Sequence, residues 1–316
     1  MDSFLFSLNA TLPLFLIIAL GYFLKRLHLT TPEFVRVADK LVFKVALPVM
    51  LFLEIARMDF SQGFDWKFCA FCAGVTTVMF LVTWGLSALF LRDKSQVGSF
   101  AMCSVRCSAA ILGAGLAVNI YGDVGLVPLM IVSAIPLFNV YSVIILTVSG
   151  ERSEGVSGGA LLKKVLRGIV TNPITLGIVA GLPFALFSLP LPELVVKTAD
   201  SVGSLTTPLA LLVIGAGFDF KVAATRLKTS VIASVIKLVL LPAVFLPLAV
   251  WLGFRDTALI AIFIMLAGPT TVSCYIMAGS MKNDTVLAAN TVMLTTLFSS
   301  VTLTAWLTLL RALGRV

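Results

Sequence analysis

The stretch LAGPTTVSCYIMAGSMKND, residues 266–284, carries Gly268-Pro269-Thr270-Thr271 inside an otherwise apolar segment. Proline removes a backbone donor and clashes with the preceding turn. Glycine adds backbone freedom at the same point. The two threonines can cap a helix that restarts after the interruption. We therefore predict a long apolar helix that is broken near its middle.

The composition indicates that this helix belongs to a membrane protein. The chain has 316 residues, of which 59% are hydrophobic and 12% are charged, whereas soluble domains carry about 25% charged residues. A membrane-spanning helix needs about 20 mostly apolar residues. Ten segments meet this requirement, and we number them as helices 1 to 10: 5–24, 35–56, 67–91, 97–119, 124–149, 165–188, 195–218, 229–252, 257–280 and 285–310.

The basic residues indicate topology rather than a polyanionic partner. The net charge is +8, but Lys and Arg lie at the ends of the apolar segments, so we expect a lipid bilayer and no nucleic acid as partner. One set of alternate connections holds most of them, which places both termini outside the cell membrane by the positive-inside rule. The first apolar segment starts at once without a basic leader, so no cleavable signal peptide is predicted.

The cysteines and the histidine do not suggest catalysis. All five cysteines lie in apolar stretches and the one histidine, His28, lies in a loop. The sequence therefore offers few residues for a zinc site or a Ser-His-Asp triad. No GxxxxGK[ST] loop for ATP is present. We expect no enzyme activity, no metal and no cofactor.

The chain resembles itself at an offset of 160 residues. Fourteen identities fall in the 48 positions 13–60 without a gap. The most telling pairs are Pro13/Pro173, Gly21/Gly181, Pro32-Glu33/Pro192-Glu193, Pro48/Pro208 and Asp59-Phe60/Asp219-Phe220. We predict two five-helix repeats, 1–150 and 165–316, joined by a linker at 151–164. Because five is odd, the second repeat has inverted topology, as in many secondary transporters.

Helices 4 and 9 are the predicted solute site, because interrupted helices meet at the midplane in such folds. The N-terminus of a half-helix carries about half a positive charge and suits an anion. The residues predicted to bind substrate are Arg106, Ser108 and Gly113 in helix 4, Pro269, Thr270, Thr271 and Ser273 in helix 9, and Lys44 in helix 2.

Other polar and proline positions have roles outside substrate binding, or two alternative roles. Arg106 either holds the anion or snorkels towards a membrane surface. Asp39 is a proton-relay candidate, or part of a solvated helix end. Pro48 and Pro208 are interpreted as helix-bending residues. We interpret Lys237 as structural, and Glu54 and Asp200 as solvated residues near helix ends.

Several motifs resemble the auxin efflux carrier family. They are DKLVFKVALPVMLF (39–52), TNPITLGIVAGL (171–182), IKLVLLP (236–242) and PTTVSCYIMAGSMKND (269–284). The resemblance implies ten helices in an inverted repeat related to bile acid sodium symporters, with broken helices 4 and 9 and elevator-like alternation. Ser108 stands where the family often has Asn, and Gly115 where many members have proline. Lys44 replaces an apolar or aromatic residue and could contact a dicarboxylate.

These observations predict a secondary transporter for a small organic anion. Members that resemble malonate and malate permeases, and plant members that carry auxin, point to a mono- or dicarboxylate. Coupling to H⁺ or Na⁺ and a homodimer are both compatible with the sequence. An anion channel and a solute sensor without transport are the alternatives.

Overall fold

A computed structural model describes residues 2–57, 65–108, 116–118, 120–150 and 158–315. These residues form helices joined by turns and short extended segments, and no strand occurs among them. The helices, in chain order, are α1 Asp2–Arg26, α2 Pro32–Leu41, α3 Leu47–Ala56, α4 Trp66–Phe90, α5 Val97–Val105, α6 Val127–Gly150, α7 Gly158–Thr171, α8 Pro173–Leu186, α9 Glu193–Gly203, α10 Thr206–Gly217, α11 Phe220–Val235, α12 Leu241–Trp251, α13 Asp256–Ala267, α14 Ser273–Ser280 and α15 Thr285–Ala312. Single π turns join α2 to α3 (Val42–Ala46) and α11 to α12 (Ile236–Leu240).

Five helical stretches of the described chain are long and apolar enough to cross a bilayer. They are Trp66–Phe90, Val127–Ser149, Glu193–Gly217, Phe220–Trp251 and Thr285–Ala312. Pro173–Leu186 and Asp256–Ala267 are shorter apolar helices. The prediction of an all-helical, multi-pass membrane protein is confirmed at this level.

Four predicted spans are interrupted among the described residues. Helix 7 divides into α9 and α10 at Ser204 and Leu205. Helix 6 divides into α7 and α8 at Asn172, which caps α8 by accepting from the amide of Ile174 at 2.9 Å. Helix 9 divides into α13 and α14, with residues 268–272 between them. Helix 4 contains α5, and its middle, residues 109–115, lies outside the described residues.

Glycines allow two pairs of helices to approach closely. A Cβ on Gly21 of α1 would lie 2.1 Å from the carbonyl oxygen of Leu212 in α10. A Cβ on Gly181 of α8 would lie 2.7 Å from the carbonyl oxygen of Phe52 in α3. Only glycine leaves room for a backbone at these distances. Gly21 and Gly181 are 160 positions apart in the chain, and so are Phe52 and Leu212.

The half-helices α5 and α13 lie in the interior of the molecule. Every residue of α5 is buried, and so is each residue from Leu259 to Ala267 of α13. A helix that is apolar on all sides buries all of its faces. Both helices nevertheless end in the interior, where the terminal backbone groups need partners.

Candidate solute-binding site at two helix breaks

The two interrupted segments are hydrogen bonded to each other. After α5 the chain turns extended at Arg106 (φ −62°, ψ 140°), and after α13 it does the same at Gly268 (φ −59°, ψ 145°). The amide of Ser108 donates to the carbonyl oxygen of Pro269 at 2.9 Å. This bond brings together segments that are more than 150 residues apart in the chain.

Arg106 projects into the interior at this junction, and only 5% of its surface is exposed. One terminal nitrogen, Nη2, donates to Asn139 Oδ1 at 2.9 Å and to Ser273 Oγ at 3.1 Å. The other, Nη1, donates to Ser142 Oγ at 3.2 Å and contacts Met277 Sδ at 3.1 Å. The structure therefore favours the interior interpretation of Arg106 over snorkelling.

The guanidinium of Arg106 retains unused hydrogen-bonding capacity. Its Nε is buried without a hydrogen-bond partner, and none of its partners within the described segments is a carboxylate. Glu54 lines the same cavity and interacts electrostatically with Arg106, but no hydrogen bond or close ion pair joins the two among the described residues. A buried charge that lacks a closely paired counter-charge costs several kcal/mol even after relaxation. An anion arriving here would meet a donor that is already desolvated and held in place.

A cavity of about 120 Å³ opens beside Arg106. A water needs roughly 10–15 Å³ on such a measure, so the cavity can hold several waters or a small solute. The lining residues come from four helices and both breaks: Leu47, Met50, Leu51, Glu54, Arg106, Cys107, Ser108, Ile135, Phe138, Thr207, Thr271 and Ser273. We call it the central cavity.

The central cavity shares lining residues with a second cavity. Met50, Glu54 and Thr207 also line this second cavity, which measures about 570 Å³. Arg57 and Asp200 line it as well, and Arg57 Nη1 donates to Asp200 Oδ1 at 2.9 Å. Glu54 was interpreted as a solvated residue near a helix end, but it is half-buried and lines both cavities.

The N-terminus of α14 faces the central cavity. Its first hydrogen bonds run from the amide of Cys274 to Thr271 and from that of Tyr275 to Val272, so the amides of residues 271–273 precede the first closed turn. The Thr271 and Ser273 hydroxyls lie 3.2 Å apart and both residues line the cavity. Amides, hydroxyls and a guanidinium are the donors that recognise a carboxylate.

Thr270 has another role in the structure, although it lies in the same break. Its hydroxyl donates to the carbonyl oxygen of Cys103 at 2.8 Å, and its amide donates to Thr295 Oγ1 at 3.1 Å. Thr270 is 1% exposed. Its polar groups are therefore occupied in holding the break of helix 9 against α5 and α15.

A family model described as a membrane transport protein matches residues 6–307. The chain belongs to this membrane transport protein family. The transporter is 21% identical over 310 residues to an uncharacterized transporter of Methanocaldococcus jannaschii, covering 95% of this chain and 97% of the relative. It is 20% identical over 307 residues to an uncharacterized transporter of Methanothermobacter thermautotrophicus, covering 96% and 98%. It is 29% identical over 120 residues to the uncharacterized transporter YfdV of Escherichia coli, covering 37% and 38%.

The sequence-based site prediction did not include Lys237 of the transporter. This residue is 0% exposed and contacts both half-helices, with Nζ donating to Val105 at 3.0 Å, Met265 at 3.1 Å and Leu266 at 2.8 Å, in each case to the carbonyl oxygen. A usable signal was present, because an ionisable residue in the middle of a long apolar helix is a functional candidate by default.

The other predicted residues that the structure describes lie away from the central cavity. Lys44 is exposed, on the π turn between α2 and α3. Asp39 is half-buried, accepts from Tyr275 at 3.5 Å, and keeps Oδ1 without a partner. Pro48 is buried where Gly177 packs on its carbonyl oxygen, and Pro208 is exposed and lines the second cavity. Gly113 lies outside the described residues.

Arg226 of α11 joins two loop carboxylates. Its Nη2 lies 3.0 Å from Asp93 Oδ2, and its Nε donates to Asp284 Oδ2 at 2.7 Å. Hydrogen bonds from Ser95 and Gln96, with a smaller contribution from Arg226, lower the pKa of Asp93 to about 2. Asp93 precedes α5 and Asp284 precedes α15. Arg226 therefore connects the starts of two helices that pack around the candidate site.

Proposed function

We propose that this membrane transport protein is a secondary transporter that carries a small organic anion, a mono- or dicarboxylate, through the central cavity by alternating access. The observation that carries the proposal is the buried guanidinium of Arg106, which is held by neutral groups and keeps Nε without a partner. A solute carboxylate would supply a counter-charge in direct hydrogen-bond contact with the guanidinium, which Glu54, acting on Arg106 over a longer distance, does not provide.

The substrate contacts that we propose are Arg106, Ser108, Thr271 and Ser273, all of which line the central cavity. The guanidinium would provide charge-assisted hydrogen bonds. The first amides of α14 and the two hydroxyls beside them would bind the second oxygen or the second carboxylate of the solute. Thr270 and Pro269 would instead keep the break in shape.

We also propose that the chain crosses the bilayer ten times as two inverted repeats. The close contacts of Gly21 and of Gly181 support this, because the 160-residue offset of the sequence identities reappears in which helices touch. The first contact joins predicted helices 1 and 7, and the second joins predicted helices 6 and 2. An exchange of this kind is expected when one half repeats the other.

Alternating access requires groups of helices that move against each other. In the structure, α1 packs on α10 and on α15, α3 packs on α8 and α9, and α4 packs on α5 and α6. Helix α6 also packs on α13. We propose that α4, α5, α6 and α13 move together against α3, α8 and α9.

Transport of labelled carboxylates by the purified protein in proteoliposomes tests the proposal. We expect saturable uptake of malonate, malate or a related acid, and exchange of internal for external substrate. Arg106→Gln should reduce flux by on the order of 100-fold, because a buried charged hydrogen bond contributes roughly 3 kcal/mol. The matched control is Arg167→Gln, since Arg167 is exposed on α7.

The control should transport like the wild type. Uptake that is equal in both arginine variants would remove the central cavity from the transport path. Large single-channel currents without exchange would identify a channel instead, and binding without any flux would identify a sensor.

A further inference from the structure

The environment of Lys237 is unusual for a lysine at membrane depth. All three donors of its ammonium group are used by backbone carbonyl oxygens, those of Val105, Met265 and Leu266, at 2.8–3.1 Å. The side chain is fully buried, and within the described segments no carboxylate forms an ion pair with it. Its counter-charges are therefore carbonyl groups.

These carbonyls are the C-terminal ends of two half-helices. Val105 is the last residue of α5, and Met265 and Leu266 belong to the last turn of α13. The final carbonyls of a helix have no intrahelical partner and carry about half a negative charge. Two such ends directed at one point repel each other, and in the bilayer interior water does not relieve them.

We propose that Lys237 is a covalently attached monovalent cation, which occupies the place that an alkali-metal ion would otherwise take between the two half-helix ends. Carbonyls at the C-terminal ends of half-helices are the groups that coordinate Na⁺ in secondary transporters. Here the ammonium saturates them, so the junction of α5 and α13 is held together without a dissolved ion. Lys237 is thus a positioning residue that makes this junction independent of Na⁺.

The backbone around Lys237 forms a π turn before a proline. Lys237 lies on the π turn Ile236–Leu240, which is followed by Leu241 and Pro242. Because Pro242 has no amide hydrogen, the carbonyl of Leu238 lacks its usual donor, and Trp306 Nε1 donates to it at 3.0 Å. The widened turn is therefore satisfied from α15.

A second π turn shows that this backbone alone does not bury a lysine. Lys44 lies on Val42–Ala46, which also precedes a Leu-Pro pair, and its side chain is exposed. What differs is the surroundings, since two helices end opposite Lys237. The convergence of carbonyls, not the π turn, decides where the ammonium goes.

Thermal unfolding of the purified full-length protein in different chloride salts tests the proposal. The salts are choline, sodium, potassium and methylammonium chloride at equal ionic strength. The variants are Lys237→Ala, which vacates the ammonium position, and Lys237→Met, which fills it with an uncharged chain. Lys228→Ala is the control, because Lys228 is exposed on α11, in the same helical stretch Phe220–Trp251 as Lys237.

We expect the wild type and Lys228→Ala to unfold at one temperature in all four salts. Lys237→Ala should unfold more than 5 °C lower in choline and recover at least half of that loss in sodium or methylammonium chloride. Lys237→Met should stay low in every salt. Recovery by a small cation is a result that a merely space-filling lysine would not give.

The proposal is overturned if Lys237→Met is as stable as the wild type, or if no small cation raises the unfolding temperature of Lys237→Ala above that in choline. If Lys237→Ala does not fold in any salt, the wild type decides: an unfolding temperature raised specifically by Na⁺ overturns the proposal, and no such shift supports it. These unfolding measurements do not rest on the proposed function. An added flux measurement does, and wild-type uptake should persist when choline replaces Na⁺.

Discussion

Arg106 and Lys237 are both buried cations at the same pair of helix breaks, yet they are built differently. Each of the three ammonium hydrogens of Lys237 has one carbonyl acceptor, and Lys237 does not line the central cavity. Arg106 has neutral partners, one nitrogen without a partner and a cavity beside it. The difference supports our proposal that Arg106 binds the solute and Lys237 is a structural cation, because unmet hydrogen-bonding capacity, rather than buried charge, separates the two.

The largest expected effect separates the two residues by stability. Lys237→Met leaves three buried carbonyls without a donor, at roughly 1–3 kcal/mol each, so we expect unfolding free energy to fall by several kcal/mol. Arg106→Gln keeps an amide that can donate to Asn139 or Ser273, and it should cost about 1 kcal/mol. Thermal unfolding with and without a bound carboxylate measures both effects.

Thermal unfolding with a bound carboxylate should show that ligand binding depends on Arg106 more than on Lys237. A ligand that binds the folded state raises the unfolding temperature, and we expect this rise to disappear in Arg106→Gln. It should survive in those Lys237 variants that can be kept folded. A carboxylate-induced rise that persists in Arg106→Gln would break the distinction between the two cations.

An intermediate effect is expected for Thr270, which sharpens the boundary between the two regions. Thr270→Val removes the donor to Cys103 and leaves that buried carbonyl unpaired, at about 1–2 kcal/mol. Ligand affinity should change less than threefold, because the Thr270 hydroxyl is directed away from the central cavity. Calorimetric or thermal-shift titration of wild type and variant checks this. A large affinity loss with normal stability would return Thr270 to the solute site.

The smallest effect concerns Arg226, a cation that has two carboxylates. The folded state lowers the pKa of Asp93 to about 2, so this group stabilises the fold above pH 4 and the stabilisation is lost as the pH falls from about 4 to 2. The Asp93 side chain is 43% exposed, so solvent screening keeps its contribution to the unfolding free energy below about 1 kcal/mol. Asp93→Asn should remove this part of the acid dependence of the unfolding temperature. An unchanged acid profile would show that the cluster contributes nothing measurable.

The sequence predicted those features of the two helix breaks that depend on local chemistry. Gly268-Pro269 predicts an interruption because proline cannot continue the hydrogen-bond ladder, and α13 ends at Ala267. Arg106, Ser108, Thr271 and Ser273 were predicted from the two broken helices, and the structure brings all four to one cavity. Lys44 was not placed there, because periodicity does not say which neighbour covers a helix face.

The role of Lys237 could not be predicted, since its partners lie 28 to 132 residues away in the chain. The same holds for Glu54, which reaches the cavity only because α3 packs beside the breaks. Whether Arg106 snorkels or points inward also depended on Asn139 and Ser142 of α6.

By itself, the sequence determined that this chain is a helical membrane protein and that one of its helices breaks at a Gly-Pro pair. Both follow from apolar composition and from the covalent geometry of single residues. Only the tertiary structure decided which carbonyls meet Lys237 and which donor capacity of Arg106 stays free. Hydrogen-bond partners are a matter of distances between helices, and those distances are set by how the whole bundle packs.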